Sequence, residues 1–107
     1  MLFRSIAAAL PPERSVYGDS SMSASDPRVA PTPDGVWFAY SVAGGRLGRT
    51  LLDATAASVP RVPAGDVYSS PRVVAHDLVS RDGKAFLLWL ETGGAMNDEL
   101  RLMRLCP

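Results

Sequence analysis

PTPDGVWFAYS, residues 31 to 41, sets a Pro-flanked Asp-Gly turn directly against a run of aromatic and small apolar residues. Proline presets φ near −65° at the front of such a turn, Asp34 caps it through its side chain, and Gly35 takes the left-handed position. From Val36 to Ala43 the chain alternates Val36, Phe38, Tyr40 and Val42 with Trp37, Ala39, Ser41 and Ala43. β-branched and aromatic content of this kind favours a strand. Both faces of that strand are largely apolar, which predicts a sheet covered on both sides.

Outward from this stretch, Gly44-Gly45 break the run, and RLGRTLLD can return as an antiparallel strand because paired glycines supply the positive φ of a tight hairpin turn. SRDGKAFLLWLETGG repeats the grammar: a turn at Asp82-Gly83, an apolar run from Ala85 to Leu90, a stop at Gly93-Gly94, then a return strand from Glu99 to Leu105. Pro27-Arg28-Val29 matches Pro71-Arg72-Val73 at an offset of 44, Asp34-Gly35 matches Asp82-Gly83 at 48, and the Gly-Gly pairs match at 49. On that alignment four residues are inserted before the second turn, and AHDLVS, residues 75 to 80, is the inserted loop. TAASVPRVPAGDVYS supplies an outer strand around Ser58 to Val62 and then the crossing between units.

A period in the forties with three or four short strands per unit is the spacing of a β-propeller blade. The expected fold is therefore all-β: two consecutive antiparallel blades, residues 26–69 and 70–107. They follow an irregular or short helical N-terminal segment, residues 1–25, whose part SVYGDSSMSAS has loop composition. A ring needs about four to eight blades. The expected partners are thus the remaining blades of a parent chain or identical copies, besides a protein or small ligand. MLFRS at the start resembles the adapter-derived pentapeptide of proteins translated from assembled environmental DNA, which implies that residues 1 to 5 are artefactual and the parent chain is longer.

Composition narrows the function further. Hydrophobic residues are 47% of the 107 and charged residues 21%, a globular balance. Eleven basic residues against eleven acidic ones leave no broad positive field for nucleic acid. No apolar run approaches the roughly 20 residues of a membrane-spanning helix, and SIAAAL is shorter than the roughly 7 to 15 of a signal-peptide core. Cys106 is the only cysteine, so neither an internal disulfide nor a multi-thiolate metal site is expected. No cofactor is expected either.

PRVAPTPDGVWFAYS resembles the Pro-Asp-Gly repeat of the TolB-like propellers through Thr32-Pro33-Asp34-Gly35 and Phe38-Ala39-Tyr40-Ser41. The second copy departs from it, with no proline in Ser80-Arg81-Asp82-Gly83 and Leu for the small residue in Phe86-Leu87-Leu88-Trp89. This resemblance implies a binding or scaffold platform. Asp26-Pro27 and the strand after it are also similar to five-bladed glycosidase propellers, which implies Asp26 as a candidate base. Its counterpart on the 44 offset is Ser70, so a second carboxylate is wanting; Glu91, at a strand end where a Glu is usually solvated, is the candidate partner. Such a pair must stand roughly 5 to 9.5 Å apart.

Three further candidates complete the reading. His76, the sole histidine, belongs to the inserted loop and is expected to face solvent, where a rim loop can bind ligand. Trp37 and Trp89 are expected as sheet-stacking core residues, with stacking on a sugar as the alternative role. AGGRLGRT, residues 43 to 50, superficially resembles a phosphate loop, with Asp66 at the spacing of a ribose-binding acid; it lacks Gly at Ala43 and Lys at Arg49. Asp34, Gly35, Asp82, Gly83, Gly44, Gly45, Gly93 and Gly94 are turn residues rather than chemistry.

Overall fold

The computed structural model describes residues 24–53, 60–93 and 97–107. The N-terminal segment to residue 23, Ser58 and Gly94 lie outside them. Seven strands run β1 (Ala24–Thr32), β2 (Gly35–Val42), β3 (Arg46–Leu52), β4 (Val62–Ser69), β5 (Val73–Arg81), β6 (Lys84–Thr92) and β7 (Asp98–Leu105). They form two antiparallel meanders, β1-β2-β3-β4 and β5-β6-β7, and no helix occurs among the described residues. The chain is all-β, and the strands near Trp37 and Trp89 belong to separate sheets.

The sheets stack on alternating side chains. Trp37, Ala39, Leu47 and Leu51 of the first sheet meet Leu78, Ala85, Leu87, Trp89 and Leu105 of the second in one buried core. Cross-strand partners share a face, so Trp37 opposite Leu51 and Ser41 opposite Leu47 define the front of sheet one. Tyr40, Val42, Thr50 and Leu52 occupy its back and are buried as well, as the two-faced apolar run of β2 predicts. Gly48 stands opposite Tyr40 because a Cβ there would lie 2.3 Å from the ring. The sheets approach each other most closely along their first strands, β1 and β5.

Proline placement follows hydrogen-bond demand. Pro27 and Pro31 lie in β1 and Pro63 in β4, the two edge strands, where a missing donor is tolerated. The β3–β4 ladder is irregular near Pro63. Side chains take over there: the Thr50 hydroxyl donates to the Val62 carbonyl at 2.7 Å, and Arg49 Nη1 to the Gly65 carbonyl at 3.2 Å. The outer strand therefore begins at Val62, the residue where the sequence pattern ends it.

The two units are equivalent at one constant offset. Ala24 opposite Val42, Arg28 opposite Ala39 and Thr32 opposite Gly35 recur as Val73 opposite Glu91, Asp77 opposite Leu88 and Arg81 opposite Lys84, all 49 residues on. Even the bulge near the start of β1 recurs near the start of β5. This corrects the sequence alignment: nothing is inserted, AHDLVS lies within β5, and the equivalent of Asp26 is Ala75 rather than Ser70. Tyr40, not Trp37, is the counterpart of Trp89.

The two Asp-Gly turns also differ. Arg81 pairs with Lys84 across Asp82 (φ 53°) and Gly83 (φ 74°), the doubly positive pair that suits hairpin twist. Pro33 cannot adopt positive φ. There the positive φ falls on Gly35 (137°) after the turn, and the Thr32 hydroxyl, rather than Asp34's carboxylate, bridges it: it accepts from the Asp34 amide and donates to the Gly35 carbonyl, both at 3.3 Å.

Candidate functional site

Two polar clusters lie between the sheets. In the first, Glu91 of β6 is 1% exposed although a strand-end Glu is expected to be solvated. Inward alternation along β6 places it beside Leu87 and Trp89 on the face toward sheet one. Its Oε2 accepts from the Tyr68 hydroxyl at 2.5 Å and from Trp89 Nε1 at 2.9 Å. Its Oε1 accepts from Ser70 Oγ and Arg72 Nη2, each at 3.4 Å, and Arg101 Nε stands 3.4 Å from Oε2. The Tyr68 and Trp89 rings pack at a 4.6 Å centroid separation.

These contacts hold the Glu91 carboxyl down to about 2, the Tyr68 hydroxyl contributing most, while the carboxylate raises the Tyr68 phenol in return. Five donors saturating one carboxylate make it a fastener joining β4, the β4–β5 crossing, β6 and β7. They leave little capacity for proton transfer. The crossing is tied further by Ser70 N to the Gly45 carbonyl (3.0 Å) and Thr92 N to the Arg72 carbonyl (2.9 Å).

The second cluster joins the first strands of both sheets. Asp26 sits at the β1 bulge with φ 54°, a conformation few non-glycine residues adopt. Arg28 Nη2 reaches its Oδ1 at 2.9 Å, and His76 Nδ1 of β5 lies 3.4 Å from its Oδ2. Arg28 Nε also stands 4.0 Å from Asp77 Oδ1. His76, expected in a solvent-facing loop, is buried in a strand. Desolvation pushes its pKa below the ordinary value against the pull of Asp26, so the ring is neutral at pH 7. The proton then belongs on Nδ1, facing the carboxylate, and Nε2 carries a lone pair. Buried Nε2 has no hydrogen-bond partner among the described residues.

A cavity of about 240 Å³ opens beside this cluster, lined by Ser25, Asp26, Ser41, the Ala43–Gly45 turn and His76. Ser25 and Ser41 hydroxyls are 3.0 Å apart.

Other sequence candidates separate from these. Asp26 and Glu91 share no contacting side chain, so the structure does not bring the expected acid and base together. Trp37 and Trp89 are buried in the core, which removes them as sugar-stacking platforms. Residues 43 to 45 lead into strand β3, not a helix, and Asp66 pairs with Arg46 at 2.9 Å; the phosphate-loop reading loses its helix N-terminus. Cys106 is exposed. No group of His, Cys, Asp or Glu among the described residues could hold a metal ion, and no described helix could cross a membrane.

The sequence pattern missed Tyr68 and Arg101 as partners of Glu91; the alternation Ala85, Leu87, Trp89, Glu91 was the signal that could have placed that carboxylate on the core face. Comparison with protein-family models, with curated proteins and with solved structures returned no match.

Proposed function

We propose that this chain is a two-blade portion of a β-propeller of the TolB-like kind, serving as a rigid binding or scaffold platform for a protein or small ligand. The observation that carries this reading is the constant 49-residue offset between the two ladders. Equivalent strands share equivalent faces, so the front of sheet one (Trp37, Ala39, Leu47, Leu51) corresponds to the face of sheet two bearing Phe86, Leu88, Leu90, Leu100 and Leu102. Sheet two covers the first of these fronts. Nothing among the described residues covers the second, where Leu100 is 73% exposed.

A repeat that buries its front against the next repeat calls for further sheets, and closest approach along the first strands suits a ring with those strands inward. The platform role follows from fold analogy rather than from a reactive group. Sedimentation velocity with a fluorescent apolar-surface dye tests the reading. Concentration-dependent association or saturable dye binding, lost in the Leu100→Asp/Leu102→Asp variant, supports it; a monomer that binds no dye overturns it.

A further inference from the structure

We propose that the cavity between the first strands of the two sheets, lined by Ser25, Asp26, Ser41 and His76, is a binding site for the primary ammonium group of a small amine. Three separate features converge on it. His76 is buried and aligned on Asp26 through Nδ1, yet its Nε2 has no partner among the described residues. Buried polar atoms left without a partner cost about 1–3 kcal/mol, and native structures seldom leave them so without a ligand, ion or water to answer them. Asp26 holds a left-handed backbone conformation, the kind of local strain that concentrates at binding sites. Both residues line one cavity.

The scaffold does not require these side chains. Sheet two contains the same bulge with Ala75 where sheet one has Asp26, and Pro27 stands where sheet two has His76. Ala75 shows that the bulge forms without a carboxylate and without positive φ. Asp26 and His76 are therefore additions to the repeat.

Acceptors dominate the chemistry offered. The Asp26 carboxylate has lone pairs beyond those taken by Arg28 and His76, its side chain is 42% exposed, and the neutral ring presents a lone pair at Nε2. Ser25 and Ser41 hydroxyls add two adaptable acceptors. Arg28 is shared between Asp26 and Asp77, so two carboxylates face one guanidinium and the local charge is negative. A tetrahedral ammonium supplies three donors and the opposite charge. At roughly 30 Å³ per water-sized unit, the cavity of about 240 Å³ admits a short alkylamine.

The test is an NMR titration of the full isotope-labelled chain, in which His76 is the sole imidazole. n-Butylammonium chloride is added at constant ionic strength, with tetramethylammonium chloride and glycerol as parallel probes. Expected are saturable shifts of the His76 Nε2 resonance and of the Ser25, Asp26 and Gly44 amides with butylammonium only. Asp26→Asn keeps the left-handed conformation, which Asn tolerates, and should weaken binding at least tenfold with the amide spectrum otherwise intact. Absence of saturation, an equal response to tetramethylammonium or glycerol, or unchanged affinity in Asp26→Asn overturns the proposal. If Asp26→Asn disturbs folding, the wild-type comparison of the three probes still decides. None of these outcomes depends on ring closure.

Discussion

Leu47 and Leu100 occupy one position of the repeat: each lies on β-strand three of its unit, opposite Ser41 and Leu90, which are themselves 49 residues apart. Their surroundings differ completely. Leu47 is 0% exposed because sheet two lies over it, whereas Leu100 is 73% exposed. Truncating a fully buried leucine to alanine removes its transfer free energy and leaves a cavity, together about 2–5 kcal/mol. Leu100 keeps only about a quarter of its surface from water, so about a quarter of the roughly 2 kcal/mol for full burial is at stake, near 0.5 kcal/mol. With an m-value of about 1.5 kcal/mol/M, Leu47→Ala at 3 kcal/mol should lower the urea midpoint by about 2 M. Leu100→Ala should lower it by about 0.3 M at low micromolar concentration. At high concentration the Leu100→Ala loss should grow toward that of Leu47→Ala if another sheet covers the open face. Equal losses in a dilute monomer would refute the assignment of one face as covered and its equivalent as bare.

Three further outcomes are expected. Gly45→Ala places a Cβ 1.8 Å from the Ser70 carbonyl oxygen and disrupts the crossing, whereas Gly44→Ala meets nothing within 4 Å; thermal melts should show the Gly44 variant losing about 1–2 kcal/mol and the Gly45 variant clearly more. Glu91 has a folded pKa near 2 against an ordinary 4.5. Its contribution is complete above 4.5 and lost as pH falls toward 2, so wild-type melting temperature should drop through that window while Glu91→Gln, weaker at neutral pH, shows a flatter profile. The folded His76 pKa lies below 6.5; as pH falls below 6.5 the unfolded chain takes up the proton first and stability declines, and an imidazole NMR midpoint at or above 6.5 would contradict the burial argument.

Strand identity in β2, β3, β6 and β7 was legible in the sequence because alternation at period two, β-branched and aromatic content and Gly-Gly stops are local signals, each acting within a few residues. The all-β character and the division into two units follow from them. Register was not legible. Pro27-Arg28-Val29 and Pro71-Arg72-Val73 look alike, but their resemblance carries no hydrogen bonds; strand pairing across the sheet makes Val73 the equivalent of Ala24 and turns the supposed inserted loop into β5. Pro33 and Gly83 likewise impose different turns on one dipeptide.

The fates of Glu91 and His76 were decided by tertiary structure alone. A strand-end carboxylate is solvated or saturated according to what the neighbouring sheet brings to it, and here Tyr68, Ser70 and Arg72 arrive from before the crossing. His76 meets Asp26 fifty residues earlier in the chain only because two sheets stack along their first strands. Periodicity fixes which side a residue faces within its own strand; what waits on that side depends on the packing of distant segments, which no local pattern encodes.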